Sequence, residues 1–155
     1  QDKVRDSIRR YKFNGRRGYH KLYGKLVAQC VHDHLAGRYD LITWVPLSSQ
    51  RKKERGYDQA FLLASAAALE LGEVAVETLQ KERHTAAQSG LTEAAQRRAN
   101  VLGAYTPVDP ELVAGKRVLL IDDVVTTGST LSECARTLRT MGAKDVVCAA
   151  LARAR

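Results

Sequence analysis

VLLIDDVVTTGST, residues Val118 to Thr130, is the stretch on which the reading of the whole chain turns. Its four leading apolar residues, Val118, Leu119, Leu120 and Ile121, form the unbroken run expected of a parallel strand covered on both faces. Asp122 and Asp123 stand where that strand is expected to end, TTGST follows, and a helical pattern begins at Leu131. The free N–H groups of such a turn and of a first helical turn point outward, with the positive end of the helix dipole behind them. Gly128 lets the backbone approach an anion closely, and Thr126, Thr127, Ser129 and Thr130 add hydroxyl donors. The turn therefore reads as a phosphate site. The adjacent carboxylates would repel that phosphate, so they are expected to face sugar hydroxyls or an oxygen-seeking divalent cation. Each residue alone also fits an ordinary Ser/Thr helix cap behind a buried strand. The combination fits a sugar phosphate with a metal.

The chain around this stretch has 155 residues, which suits one domain able to bury a core of its own. With 45% hydrophobic and 27% charged residues it is globular in composition, and no apolar run approaches the roughly 20 residues that span a bilayer. Membrane insertion is not expected, and the N-terminal residues lack a signal-peptide pattern, so the expected location is cytoplasmic. Lys and Arg number 25 against 17 Asp and Glu, a net charge of +8 that suits polyanionic partners: nucleotides, pyrophosphate or nucleic acid. Cys30, Cys134 and Cys148 are odd in number and far apart, which argues against a disulfide framework and against a CxxC ribbon. They read as core thiols, Cys134 on a helical stripe and Cys148 in an apolar strand.

From the N-terminus, Val4, Ile8 and Tyr11 recur at helical spacing and predict a short amphipathic helix ending near Asn14-Gly15 with a basic polar face. That face reads as readily as a solvated surface as it does as a nucleic-acid surface. Tyr19, Leu22, Tyr23, Leu26, Val27, Cys30, Val31 and Leu35 then give a broad apolar stripe for a second helix on the core. His32 and His34 are two apart, a poor metal pair on a helix, and read as surface or satisfied histidines. DLITWVP, Asp40 to Pro46, is a second strand-like run closed by a proline. The loop after it gathers Ser48, Ser49, Arg51, Lys52, Lys53 and Arg55 at the C-terminal end of a strand, where open α/β sheets bind ligands. Small donors and cations suit a diphosphate, although a solvated basic loop carries the same residues.

From about Gly56, Ala60, Phe61, Ala64, Ala67, Ala68 and Leu71 predict a helix that stops at Gly72, and Val74 to Leu79 reads as a strand. The long polar stretch from Gln80 toward Tyr105 reads either as a lid, with Arg83, His84, Thr85 and Gln88 over a ligand and Arg97, Arg98 and Asn100 in support, or as plain mobile chain. Asp109-Pro110 breaks the chain before the central strand. After the turn, Leu131, Cys134, Ala135, Leu138 and Met141 make a stripe ended by Gly142, and Asp145 to Leu151 reads as the next parallel strand. GxGxxG, Walker A and HExxH sequences are absent from the chain.

Val118 to Thr130 resembles, over its whole length, the motif with which type I phosphoribosyltransferases bind 5-phosphoribosyl pyrophosphate (PRPP). Together with IRRYKFNGRR, the VPL loop, RKKERGYDQA and RHTAAQSGLTEAAQRRANVLGAY, the chain resembles more narrowly the ComF/GntX branch of that superfamily. The resemblance implies an α/β fold: a mainly parallel sheet of about five strands flanked by helices, with a small N-terminal helical and hood region. It implies one domain over residues 1–155, with a basic helical region at 1–37 and a core at 38–155 that carries a flexible loop at about 80–91. The roles implied are Asp122 and Asp123 as the catalytic acids at the ribose hydroxyls, holding Mg²⁺ together with the ligand, and Thr126, Thr127, Gly128, Ser129 and Thr130 on the 5-phosphate. Ser48, Ser49, Arg51 and Lys52 would form the pyrophosphate loop, and Arg83, Thr85 and Gln88 the flexible loop.

The branch is associated with DNA uptake in natural transformation, which implies single-stranded DNA as a partner for Arg9, Arg10, Arg16 and Arg17 and DNA-uptake proteins as further partners; a homodimer is left open. Many members carry an N-terminal zinc ribbon that is not among these residues, so no metal role carries over from it. Asp58 stands where the branch often has Asn, Ser48 where it often has His, and Thr126 where purine-salvage members usually place an acid, which argues against purine salvage. Two functions are implied: Mg²⁺-dependent transfer of a phosphoribosyl group to a nitrogen acceptor, or a non-catalytic DNA-binding adaptor of the competence machinery.

Overall fold

A computed structural model describes residues 19–47, 53–54, 57–81 and 103–154. Its elements are α1 (Tyr19–Leu35), β1 (Leu41–Trp44), α2 (Gln59–Glu70), β2 (Leu79–Lys81), β3 (Tyr105–Pro107), α3 (Pro110–Val113), β4 (Arg117–Val125), α4 (Ser129–Thr140) and β5 (Asp145–Arg153). The apolar run of the opening stretch is the middle of β4, which lies between β1 and β5 in a parallel sheet ordered β1-β4-β5. Side chains alternate across a strand, so a strand buried on both faces must be apolar at every position. Leu119 and Ile121 pack with α1 and α2, while Val118 and Leu120 pack with α4 and the β2–β3 hairpin, and all four are fully buried.

Helices α1 and α2 share the first face. Leu63, Ala64, Ala67 and Ala68 of α2 are fully buried against Tyr23, Val27 and Val31 of α1. The small residues allow a close crossing: a Cβ on Gly24 would come within 2.5 Å of the Ala66 Cβ. The buried stripe of α1 is narrower than predicted. Leu22, Leu26 and Cys30 sit about 100° around the helix from Tyr23, Val27 and Val31, and all three are exposed. Cys148 is exposed as well, so of the three thiols only Cys134 belongs to the core. His32 and His34 are exposed, as expected of surface histidines. On the second face α4 buries Cys134, Ala135 and Leu138.

The described residues hold five strands, three in the parallel sheet and two in the antiparallel β2–β3 hairpin. The stretch predicted as a strand from Val74 to Leu79 is divided between them. Ala75 makes a single parallel bridge to Ile42, and β2 begins only at Leu79. Val74 is 79% exposed and has no face to bury, whereas the fully buried Thr78 hydroxyl turns in to Thr43 at 2.7 Å. That side-chain bond lies where the chain leaves the sheet edge for the hairpin. Gln80 and Lys81, placed by sequence at the start of the flexible loop, are paired in β2 with Thr106 and Tyr105. The helix predicted from about Gly56 starts later, at Gln59, because Asp58 caps it. The break at Asp109-Pro110 is realised as a left-handed Asp109 (φ 47°) ahead of α3.

One polar contact fixes the register of the sheet. Arg117, the first residue of β4, forms a two-pronged ion pair with Asp40 just before β1 (2.8 and 3.1 Å) and also donates its backbone N–H to Asp40 at 2.9 Å. The guanidinium holds the Asp40 carboxyl well below the usual carboxylate range. Among the described residues no helix is long and apolar enough to cross a membrane.

Gly24→Val places two methyl groups where Ala66 already stands, and overpacking of this kind costs roughly 1–3 kcal/mol. Urea unfolding of Gly24→Val is expected to show that loss, with part of it recovered by adding Ala66→Gly.

Candidate functional site at the parting of two strands

β1 pairs with β4 only as far as Trp44 opposite Ile121, with a last bond from the Val45 N–H to the Ile121 carbonyl at 2.9 Å. Beyond it β4 continues alone with β5 to Val125 opposite Arg153. The acids were expected where the strand ends. They lie instead within β4, immediately past the end of its partner β1, because β5 is long enough to keep pairing. In chain order β1 is followed by α2, packed on one face of the sheet, and β4 by α4, packed on the other. Neighbouring parallel strands whose connections diverge to opposite faces define a switch point, and ligands of open α/β sheets bind in the crevice outside it. Asp122, Asp123 and the turn at Thr126–Thr130 all lie at this crevice.

The two acids differ in surroundings. By alternation Asp122 falls on the α4 side, where it is 8% exposed beside Tyr105 and Cys134. Asp123 falls on the opposite side and is half-buried. Each uses Oδ1 to accept the next residue's N–H at 2.8 Å: Asp122 from Asp123, Asp123 from Val124. The β4–β5 pairing skips Asp123, between Asp122↔Ala150 and Val124↔Ala152. No described residue donates to Oδ2 of Asp123, so that oxygen is open to a sugar hydroxyl or a cation.

The turn has the shape that an anion cradle needs. Gly128 is the N-cap of α4 in a left-handed conformation (φ 84°), with no side-chain cap bond, so the first N–H groups of the helix keep their outward direction. Thr126 and Thr127 are exposed, and Ser129 and Thr130 are half-buried. Thr127 Oγ1 and Ser129 Oγ are 2.8 Å apart, and the Ser129 N–H donates to Thr127 Oγ1 at 3.3 Å, so three of the donors hold one another in place. Thr130 lies instead near the Tyr105 phenol, which also lies near the Cys134 thiol. Burial, reinforced by the Asp122 charge, pushes both the phenol and the thiol far up, against a lowering hydrogen bond from Tyr105 in the case of the thiol, so both are neutral at ordinary pH.

Two further carboxylates, Asp58, noted in sequence only as a departure from the branch, and Glu133, not noted at all, tie down the segments that border the crevice. Asp58 accepts the N–H groups of Leu47 and Phe61. Glu133, buried on α4, accepts the Gly103 N–H at 3.0 Å and pairs with Arg136. The signal for Asp58 was present as a good capping residue ahead of an apolar helix; Glu133 gave none, because its partner lies 30 residues away. A cleft of about 400 Å³ opens beside the crevice, lined by Trp44, Pro46, Leu47, Asp58, Phe61 and Lys81 among others. Neither acid and no turn residue lines it. Phe61 stands in it tilted against Trp44, ring centroids 4.8 Å apart.

Ser48, Ser49, Arg51 and Lys52, Arg83, Thr85 and Gln88, and Arg9, Arg10, Arg16 and Arg17 lie outside the described residues. The structure therefore brings together the acids and the phosphate turn of the predicted site. Among the described residues no group of three or more His, Cys, Asp or Glu is arranged to hold a metal.

A parallel sheet with a hydroxyl-rich turn at its switch point and two acids ahead of that turn defines a phosphoribosyltransferase-type fold. The phosphoribosyl transferase domain family matches residues 58–155, and the chain belongs to that family. Competence protein F of Haemophilus influenzae is 35% identical over 153 residues, covering 95% of this chain and 66% of the relative. Competence protein ComFC of Streptococcus pneumoniae is 30% identical over 145 residues, covering 92% and 60%. DNA utilization protein YhgH of Salmonella typhi is 40% identical over 108 residues, covering 69% and 46%. The chain is thus of the ComF type, and it spans between 46% and 66% of the length of these relatives. Among solved structures, the allosteric regulatory enzyme of purine biosynthesis superposes with a TM-score of 0.60 at 26% identity, covering 87% of this chain and 26% of that one. The glutamine PRPP amidotransferase of B. subtilis gives 0.58 at 25%, covering 85% and 26%.

Arg136 and the Gly103 N–H hold the Glu133 carboxyl below its ordinary range against the opposing effect of burial. Because the folded value lies below the unfolded one, this ionisation contributes stability above the ordinary glutamate value of about 4.3 and loses it as pH falls through the folded value. Glu133→Gln is expected to unfold at lower urea than the wild type at pH 7, with the gap narrowing steadily in acid. A gap independent of pH would mean that the charge contributes nothing.

Proposed function

We propose that this chain is the ligand-binding domain of a ComF-type competence protein, and that it binds PRPP or a related ribose 5-phosphate together with Mg²⁺. The observation that carries the reading is the TTGST turn opening α4 at the crevice where β1 and β4 part, with Asp122 and Asp123 just ahead of it. The 5-phosphate sits on the turn, where N–H groups and hydroxyls of Thr126, Thr127, Gly128 and Ser129 converge. The ribose hydroxyls lie against the acids, with Asp123 Oδ2 as the open acceptor. The donor set there is all oxygen, which fits Mg²⁺ held by one or two carboxylates plus substrate phosphates. When bound, that ion would neutralise charge on the pyrophosphate.

As a transferase the domain would move a phosphoribosyl group onto a nitrogen acceptor. A bond from nitrogen to ribose C1 forms, the bond from C1 to the pyrophosphate oxygen breaks, and the proton of the nitrogen passes to water or to the departing pyrophosphate. The residues of this chain contribute position and electrostatics. The pyrophosphate is assigned to Ser48, Ser49, Arg51 and Lys52, and closure over it to Arg83, Thr85 and Gln88. A second reading, a non-catalytic adaptor that binds single-stranded DNA through Arg9, Arg10, Arg16 and Arg17 and docks DNA-uptake proteins, is favoured by the net charge of +8 and by the DNA-utilization and competence names of the relatives. DNA binding of that kind falls steeply with salt, because phosphate neutralisation releases counterions.

Calorimetry with PRPP and Mg²⁺ tests the first reading. Asp122→Asn with Asp123→Asn is expected to weaken binding at least tenfold, about 1.4 kcal/mol, in a protein that remains folded by circular dichroism. Undiminished binding in the double variant contradicts the site assignment. Binding without pyrophosphate release over a panel of nitrogen acceptors favours the adaptor.

A further inference from the structure

We propose that the cleft beside the crevice is a nucleobase site, in which a flat nitrogen heterocycle lies against Trp44 and Phe61 while Gln80 and Glu77 hold its polar edge. The inference does not rest on the ribose phosphate reading, because neither acid and no turn residue lines the cleft. Its volume of about 400 Å³ suits a small planar ligand, and it opens at the end of a strand of an open α/β sheet, where such sheets bind ligands. One wall is aromatic. Trp44 ends β1, and Phe61 rises from the first turn of α2 to meet it, the rings tilted at 60° with centroids 4.8 Å apart. The two rings serve the core unequally: Trp44 packs against the buried cluster under α1 and α2, whereas Phe61 stands outside that cluster and is 40% exposed. An aromatic face left open at a cleft is a platform on which a second ring stacks, and every base has a π-face to offer it.

The remaining wall is polar and belongs to the β2–β3 hairpin and the residues that lead into it: Glu77, Gln80, Lys81 and Thr106. The Gln80 Nε2 donates to Glu77 Oε1 at 3.1 Å, which orients the amide. Among the described residues nothing else bonds to that amide, so its carbonyl oxygen and its second N–H remain in one plane beside the carboxylate of Glu77. A side-chain amide of this kind matches the adjacent donor and acceptor on the edge of a base, and a carboxylate accepts from an exocyclic amine. The charges in the cleft argue against an anion as its occupant. Asp58 and Glu77 both line it and Lys81 is the one cation among its described walls, so a phosphate meets more like charge than unlike, whereas a neutral heterocycle carries no such cost.

Trp44 is the only tryptophan of the chain, so its fluorescence reports on the cleft directly. A nucleobase reaches the cleft either free or as one unit of a single strand, and with a strand as its source the inference joins the DNA-binding reading above. Three titrations of the protein separate the cases: free nucleosides, a short single-stranded oligodeoxynucleotide, and an abasic strand of the same length. Saturable quenching of Trp44 by the nucleosides as well as the oligodeoxynucleotide supports the site and shows that the base alone suffices; quenching by the oligodeoxynucleotide alone supports it with the base held in a strand. Phe61→Ala removes the open ring but keeps the backbone N–H that Asp58 accepts, and is expected to weaken this binding about tenfold. Gln80→Ala, at an exposed position of β2, is expected to weaken it as well, with both variants folded by circular dichroism. Equal quenching by the abasic strand, no quenching by any of the three, or full affinity in Phe61→Ala overturns the site. A labelled oligodeoxynucleotide that binds by anisotropy while Trp44 stays unchanged overturns it too, and leaves DNA binding elsewhere on the chain standing.

Discussion

The candidate site depends on an unequal pairing: β1 is four residues long and its partner β4 is nine. The sheet must therefore come apart on one side at Ile121 while it stays closed on the other through β5. Where it parts, backbone and side-chain groups of β4 lose a neighbour, and the next two residues are acids rather than more core. The apolar residues up to Ile121 are needed for two hydrophobic faces; from Asp122 onward β4 has no strand partner on the β1 side among the described residues. One geometric fact thus accounts both for where the core stops and for where polar chemistry starts.

The same parting explains why the crevice needs external struts. A sheet holds its strands in register through backbone bonds, but a chain that has left the sheet is held only by what it meets next. Two buried carboxylates supply that hold, Asp58 on the segment leaving β1 and Glu133 on the segment entering β3. The hairpin adds Tyr105, whose phenol reaches the turn at Thr130 and the thiol of Cys134. The turn is consequently built from two kinds of group: the exposed Thr126 and Thr127 with the half-buried Ser129 bonded to Thr127, and Thr130, which lies near Tyr105. The acids divide in a related way, with Asp122 buried among neutral polar neighbours and Asp123 offering an oxygen to whatever enters.

Much of this was legible in the sequence, for reasons that can be named. β4, α4 and β5 follow from one apolar run, one glycine and two spacings, since burial on both faces leaves no room for polar residues and helical stripes leave a period. The Asp109-Pro110 break and the Gly72 stop are local backbone chemistry and were read as such. What was not legible depends on partners distant in the chain. The acids were placed at a strand end because nothing in VLLIDDVV says that β5 outlasts β1. Val74 to Leu79 looked like one strand because Thr78 does not announce that it will bond Thr43, 35 residues away. Cys30 and Cys148 looked like core thiols because an apolar run does not say which of its faces meets solvent. The arginines assigned to DNA and the residues assigned to the pyrophosphate and to closure over it lie outside the described residues.

The central claim is that the turn ahead of α4 receives the phosphate of a ribose 5-phosphate. Backbone amide shifts recorded during titration with ribose 5-phosphate and Mg²⁺ test it most directly, because the N–H groups themselves are the proposed donors. The account predicts that Thr127, Gly128, Ser129 and Thr130 shift most, with saturation and with Asp123 following. Saturable shifts concentrated instead around Phe61 and Lys81 in the neighbouring cleft, with the turn unmoved, would contradict it.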